Sequence, residues 1–183
     1  FIRSILIQPF YIPSSSMEPN LLVGDRIFVT KYSYGYSKHS FPFSPPIFKG
    51  RIMHKNPERG DIVVFKTPAD NRTDSIKRWI GLPGDTVQFI SSNLYSNSSE
   101  VMKSRLSTND IIFCGKKKID VFTFEELLPN GKKFITVYSK EYTFQNSDPF
   151  IIPKNHYFFL GDNRDCSNCL LYTSPSPRDI SRS

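Results

Sequence analysis

Apolar and polar positions alternate in short runs along the chain, and turn residues bound each run. Arg26-Ile27-Phe28-Val29-Thr30 follows Gly24-Asp25, Ile62-Val63-Val64-Phe65 follows Gly60-Asp61, and Thr86-Val87-Gln88-Phe89-Ile90 follows Gly84-Asp85. Phe134-Ile135-Thr136-Val137-Tyr138 follows Pro129-Asn130-Gly131, and Tyr157-Phe158-Phe159-Leu160 leads into Gly161-Asp162. Period-two alternation with β-branched and aromatic residues predicts strands, and the Gly, Pro and Asp between them predict turns. No long stretch carries the apolar period of a helix. Thr123-Phe124-Glu125-Glu126 fits a capping box, but the Pro-Asn-Gly just downstream supports a hairpin at least as well. The expected fold is mostly β, an antiparallel sheet or barrel domain with irregular loops and few short helices.

Two segments read as insertions on that frame. Residues 32–56 are rich in Pro and aromatic residues and contain His39 and His54, while residues 91–110 are Ser- and Asn-rich and read as a surface loop. The opening run Phe1-Ile2-Arg3-Ser4-Ile5-Leu6-Ile7 suits either a strand or the last turns of a helix. No run of 18 apolar residues, the length of a membrane span, is present.

Composition narrows the class. A length of 183 residues suits one domain. Fourteen Pro disfavour a helix bundle, and 16 Phe with 9 Tyr disfavour disorder. With three Cys the chain is no disulfide scaffold. The net charge of +7 would suit anionic lipid or nucleic acid. The basic residues are scattered, however, apart from Lys116-Lys117-Lys118, so nucleic acid is not an expected partner.

Most chemical signals are weak. His39, His54 and His156 lie far apart and offer neither ligand spacing nor a Ser-His-Asp triad. Cys166-x-x-Cys169 has redox or zinc spacing but lacks a second pair. No Gly-rich phosphate loop is present, so neither metal nor cofactor is expected. Four denser segments remain: Ile12-Pro13-Ser14-Ser15-Ser16-Met17-Glu18-Pro19, Arg59-Gly60-Asp61-Ile62-Val63-Val64-Phe65, Ile76-Lys77-Arg78-Trp79-Ile80-Gly81-Leu82-Pro83-Gly84-Asp85, and Gly161-Asp162-Asn163-Arg164-Asp165-Cys166-Ser167. Each is bland alone, as a proline-flanked loop, a strand edge or a turn.

Together and in this order they resemble the bacterial type I signal peptidases, membrane-anchored enzymes that remove signal peptides from exported preproteins with a Ser/Lys dyad. The resemblance implies a nucleophile at Ser16 and a general base at Lys77. It implies an oxyanion-binding hydroxyl at Ser14 and a serine that orients the lysine at Ser167. Arg78, Asp162 and Arg164 would brace the site, and Phe10, Ile12, Met17, Leu21 and Ile76 would line pockets for small side chains of the substrate. It further implies a phospholipid membrane as partner, a bacterial inner-membrane location and a catalytic domain on the outer face. Residues 1–10 would end the membrane anchor and residues 11–168 would form the catalytic domain.

Elementary chemistry agrees with the dyad. A serine hydroxyl needs a base before it is a useful nucleophile. A lysine with its ordinary pKa of ~10.4 is almost all cation near neutrality, and burial among apolar groups disfavours that cation. Ile76, Trp79 and Ile80 stand beside Lys77, and strand alternation sends Arg78 to the opposite face.

The family pattern continues x-Asp-Ser-Arg after the serine at position 167, whereas here Asn168 is followed by Cys169-Leu170-Leu171-Tyr172-Thr173-Ser174-Pro175. Residues 169–183 therefore read as a non-native tail that replaces the family's final strands. Two other readings compete: a related Ser/Lys processing protease of the organelle or self-cleaving repressor type, and a non-enzymatic basic β-barrel binding module. The latter calls for clustered Arg and exposed aromatic residues on one strand face.

Overall fold

The computed structural model describes residues 7–30, 58–66, 73–141, 146–154 and 156–167. Twelve strands make up this part: β1 (Ile7–Tyr11), β2 (Arg26–Thr30), β3 (Ile62–Lys66), β4 (Asp74–Gly81), β5 (Thr86–Ile90), β6 (Asn93–Ser96), β7 (Ser99–Glu100), β8 (Met102–Cys114), β9 (Lys117–Leu127), β10 (Lys133–Ser139), β11 (Phe150–Ile151) and β12 (Phe158–Leu160). One 3-10 turn (Ser15–Met17) is the helical element among the described residues. They form four sheets in the orders β1-β2, β10-β9-β8, β11-β5-β6-β7 and β12-β4-β3. Every paired strand is antiparallel. The mostly β expectation is borne out.

Three apolar clusters hold the sheets together. The largest joins Ile80, Val87, Phe89, Leu94, Phe134 and Leu160, so β4, β5, β6, β10 and β12 share one core. A second packs Val63, Phe65, Trp79 and Phe159 under the β12-β4-β3 sheet. Trp79 meets Tyr157 and Phe159 edge-on, at centroid distances of 4.4 and 5.4 Å, an arrangement that adds to plain area burial. A third joins Ile112, Ile119, Val121 and Val137. Beside it a disulfide links Cys114, at the end of β8, to Cys166. Cys166 thus has a partner 52 residues away, where the sequence pointed only to the Cys166-x-x-Cys169 spacing.

Three expectations need correction or placement. Residues 91–110 are not a loop but β6, β7 and most of β8. Ser91-Ser92 and Asn97-Ser98 all take positive φ, which makes them the two-residue hairpin turns favoured by strand twist. Their polarity therefore marked two turns rather than one long connection. Residues 7–10, assigned to the end of an anchor, lie in β1, where Ile7 pairs with Thr30. Thr123 to Glu126 lies in β9, which pairs with β10 as the hairpin alternative required. The segments 32–56 and 169–183 lie outside the described residues. Among those residues no helix is long and apolar enough to cross a membrane.

Candidate active site

Ser16 sits in the 3-10 turn that follows β1 after Ile12, Pro13 and Ser14. Ser14, just before the turn, has extended backbone (φ −135°, ψ 153°), so the chain bends sharply here. The Glu18 amide donates to the Ser15 carbonyl (3.1 Å), and the Leu21 amide donates to the Met17 carbonyl (3.0 Å). The far side of the turn is held by Asn163. Its amide donates to the Ser16 carbonyl (3.2 Å), and its Nδ2 donates to the Ser15 carbonyl (3.1 Å). The Glu18 carboxylate lies beside the backbone N–H groups of Phe113 and Val23. Burial pushes this carboxyl up, against the downward pull of those two N–H groups.

Lys77 comes from β4, the central strand of its sheet. Val63 of β3 pairs with Lys77 on one side, and Leu160 of β12 pairs with Arg78 on the other. A central strand covered on both faces can bury two consecutive charged residues, provided each finds partners. Lys77 is only 7% exposed, and its Nζ donates to Ser16 Oγ at 2.7 Å. Ser14 Oγ lies 3.4 Å from Ser16 Oγ on the exposed side.

Arg78 faces the other way. Its Nε and Nη2 grip both oxygens of Asp162 at 2.7 Å, and its Nη1 donates to the Gly60 carbonyl at 2.6 Å. The guanidinium lies over the Phe134 ring, 4.3 Å from its centroid. Asp162 also accepts from Asn20 Nδ2 (2.8 Å), which ties the ion pair to the segment that follows Ser16. Asn20 donates to the Ile135 carbonyl as well.

Arg164 braces the same loop from behind. Its Nη2 donates to Glu126 Oε2 (2.6 Å), its Nη1 to the Tyr138 hydroxyl (2.9 Å) and its Nε to the Gly161 carbonyl (3.2 Å). The hydroxyls of Thr136 and Tyr138 both donate to Glu126 Oε1.

The structure thus brings Ser14, Ser16 and Lys77 to one place, with Arg78, Asp162 and Arg164 around them. Ser167 departs from its expected role. It is buried close by, since a side chain at Gly161 would collide with both Ser167 Oγ and the Ser16 carbonyl. Its hydroxyl makes no hydrogen bond, so it does not orient Lys77 here. Among the expected pocket residues, Ile12 and Met17 are buried, while Phe10, Leu21 and Ile76 keep partly exposed surface. Sequence reasoning missed Glu18, Asn20, Glu126, Tyr138 and Asn163. Asn163 had a signal, since it stands inside the Gly161-Asp162-Asn163-Arg164 run. Asn20 and Glu126 had none, because their partners are 142 and 38 residues away.

The chain is 43% identical to a signal peptidase I of Rickettsia massiliae over 176 residues, which is 91% of this chain and 65% of that protein. Signal peptidase I of Rickettsia felis and that of Rickettsia prowazekii are each 43% identical over 178 residues, with the same shares. The chain therefore spans about 65% of the length of these curated relatives. Among solved structures, a signal peptidase I from Enterococcus faecalis is 28% identical and covers 60% of this chain and 80% of its own, with a TM-score of 0.33. The sequence profile of the signal peptidase family, peptidase S26, matches residues 1–168. The chain belongs to that family.

Proposed function

We propose that this chain is the catalytic part of a membrane-bound serine endopeptidase that cleaves signal peptides from preproteins. The 2.7 Å contact between the buried Lys77 Nζ and Ser16 Oγ carries this reading. In the reactive state Lys77 is the neutral amine, the form that burial favours. It takes the Ser16 proton as Oγ attacks the scissile carbonyl carbon. The Ser16 amide and the Ser14 hydroxyl then donate to the oxyanion that develops. Collapse of the intermediate releases the mature protein as Lys77 returns the proton to the departing amine. The signal peptide stays on Ser16 as an acyl ester. Lys77 next takes a proton from water, which hydrolyses the ester and restores Ser16. Phe10, Leu21 and Ile76 offer apolar surface to small side chains beside the scissile bond.

The Cys114–Cys166 disulfide supports a catalytic domain on the outer face of the bacterial inner membrane, because such bonds persist in oxidising compartments. Incubation of the full-length protein with a precursor, beside Ser16→Ala and Lys77→Ala, tests the dyad. Each variant should lose nearly all turnover alone, since nucleophile and base act as a unit. Lys77→Arg should fail too, because a guanidinium keeps its proton. Wild-type turnover in either Ala variant would overturn the assignment.

A further inference from the structure

We infer that the Cys114–Cys166 disulfide is a positioning element for Ser16, closing a ring of contacts around its turn. On one side Cys166 and Ser167 cap the loop that holds the turn. The Cys166 amide donates to Asn163 Oδ1 (3.2 Å), and the Ser167 amide donates to the Asn163 carbonyl (3.0 Å). Asn163 in turn grips the carbonyls of Ser15 and Ser16. On the other side Cys114 ends β8, the strand that packs against the 3-10 turn and whose Phe113 backbone lies beside the Glu18 carboxylate, two residues after Ser16. The covalent bond joins these two arms, so the β8–β9 hairpin and the Asn163 loop clamp the turn between them. Asn163 and Glu18 are both buried, which stiffens the clamp. A nucleophile displaced by about 1 Å loses on the order of 100-fold in rate, so a modest loosening registers in kcat.

This inference rests on the peptidase reading, and one experiment separates the two. In the full-length protein every Cys other than Cys114 and Cys166 is replaced by Ser, so that no further thiol exchanges. It is assayed oxidised, after a dithiol has reduced the bond, and as Cys114→Ser with Cys166→Ser. Reduction breaks the S–S bond to give two thiols. The dithiol supplies two electrons and two protons and becomes a cyclic disulfide. Opening the ring should lower kcat by about 10-fold or more with KM within about 2-fold, as expected for a group needed in the transition state. Hydrogen exchange at the Asn163 and Leu21 amides should rise, while exchange at the remote Val101 amide stays unchanged. Unchanged kcat in the reduced protein would overturn the positioning role and leave the peptidase reading standing. Unchanged exchange at Asn163 and Leu21 would overturn the clamp whatever the kinetics. Failure of the oxidised protein to cleave any precursor would sink the peptidase reading instead, and exchange would then decide the clamp alone. If the double Ser variant does not fold, the protein reduced in place below its melting temperature supplies both readouts.

Discussion

Two buried guanidinium–carboxylate pairs hold the loop from Gly161 to Ser167, and they do different things. Arg78–Asp162 is bidentate and reaches forward: Arg78 is the neighbour of Lys77, and Asp162 binds Asn20 just after the Ser16 turn. Arg164–Glu126 makes one short ion contact and reaches backward, into the hydroxyls of Thr136 and Tyr138 on β10. Both carry similar desolvation costs, since all four side chains are nearly inaccessible. Their difference lies in what they touch. One pair couples the Lys77 strand to the Ser16 segment, and the other fixes the loop to the core. Equal burial therefore need not give equal consequences for the reaction.

Asp162→Ala should have the largest effect. It strands the Arg78 cation and frees Asn20, costing ~3–5 kcal/mol of stability. Precursor cleavage by the folded fraction should also fall more than about 10-fold, because placement of the dyad matters at the sub-ångström scale. Urea unfolding and cleavage kinetics on the same sample check both. Glu126→Ala should cost a similar ~3–5 kcal/mol in urea unfolding, while the folded fraction keeps kcat/KM within about 3-fold. If the two variants lose activity alike, the forward and backward distinction fails. Replacing the rear pair together, Arg164→Met with Glu126→Leu, should restore most of the stability lost by Glu126→Ala, because no buried charge is left alone. A double variant no more stable than Glu126→Ala would show that the Tyr138 and Thr136 hydroxyls depend on that carboxylate.

The smallest effect concerns a third pair, Arg59–Asp85, which is less deeply covered. Burial pushes the Asp85 carboxyl up. Hydrogen bonds from Asn97, the Leu82 amide and Arg59, with the Arg59 charge, outweigh that and hold it below its ordinary value. A carboxylate depressed in the folded state stabilises above its unfolded pKa, and loses that contribution as pH falls through the folded value. Thermal melts between pH 7 and about pH 3 should show this loss, and Asp85→Asn should flatten the curve at its acid end. An unaltered acid limb in Asp85→Asn would remove Asp85 from the acid-sensitive groups.

Much of this was legible locally. The strands at 26–30, 62–65, 86–90 and 134–138 showed because alternation and turn residues are short-range signals. Ser16 and Lys77 showed only through the resemblance that the four dense segments carry together, since each segment is bland alone. The rest depended on what lies across the sheets. Glu126 looks like a solvent-facing acid in β9 until Arg164 arrives from the far end of the chain. Asn20 looks like an ordinary turn residue until Asp162 is placed beside it. Ser91-Ser92 and Asn97-Ser98 misled because hairpin turns and long loops draw on the same polar residues. Two pairs separated by two to four strand residues are the distinguishing pattern.

Trp79 has a practical consequence. It is the chain's one tryptophan, two residues from Lys77 on the same strand, and it is fully buried against Tyr157 and Phe159. Its ring nitrogen donates to the Gly81 carbonyl rather than to water. This chain therefore contains a single indole fluorophore, set in the strand that carries the amine. Native emission should be short in wavelength and move to the red as β4 meets solvent. Every change in the indole fluorescence of this chain then has one address, so a stopped-flow trace reads the strand beneath the candidate site without any added label.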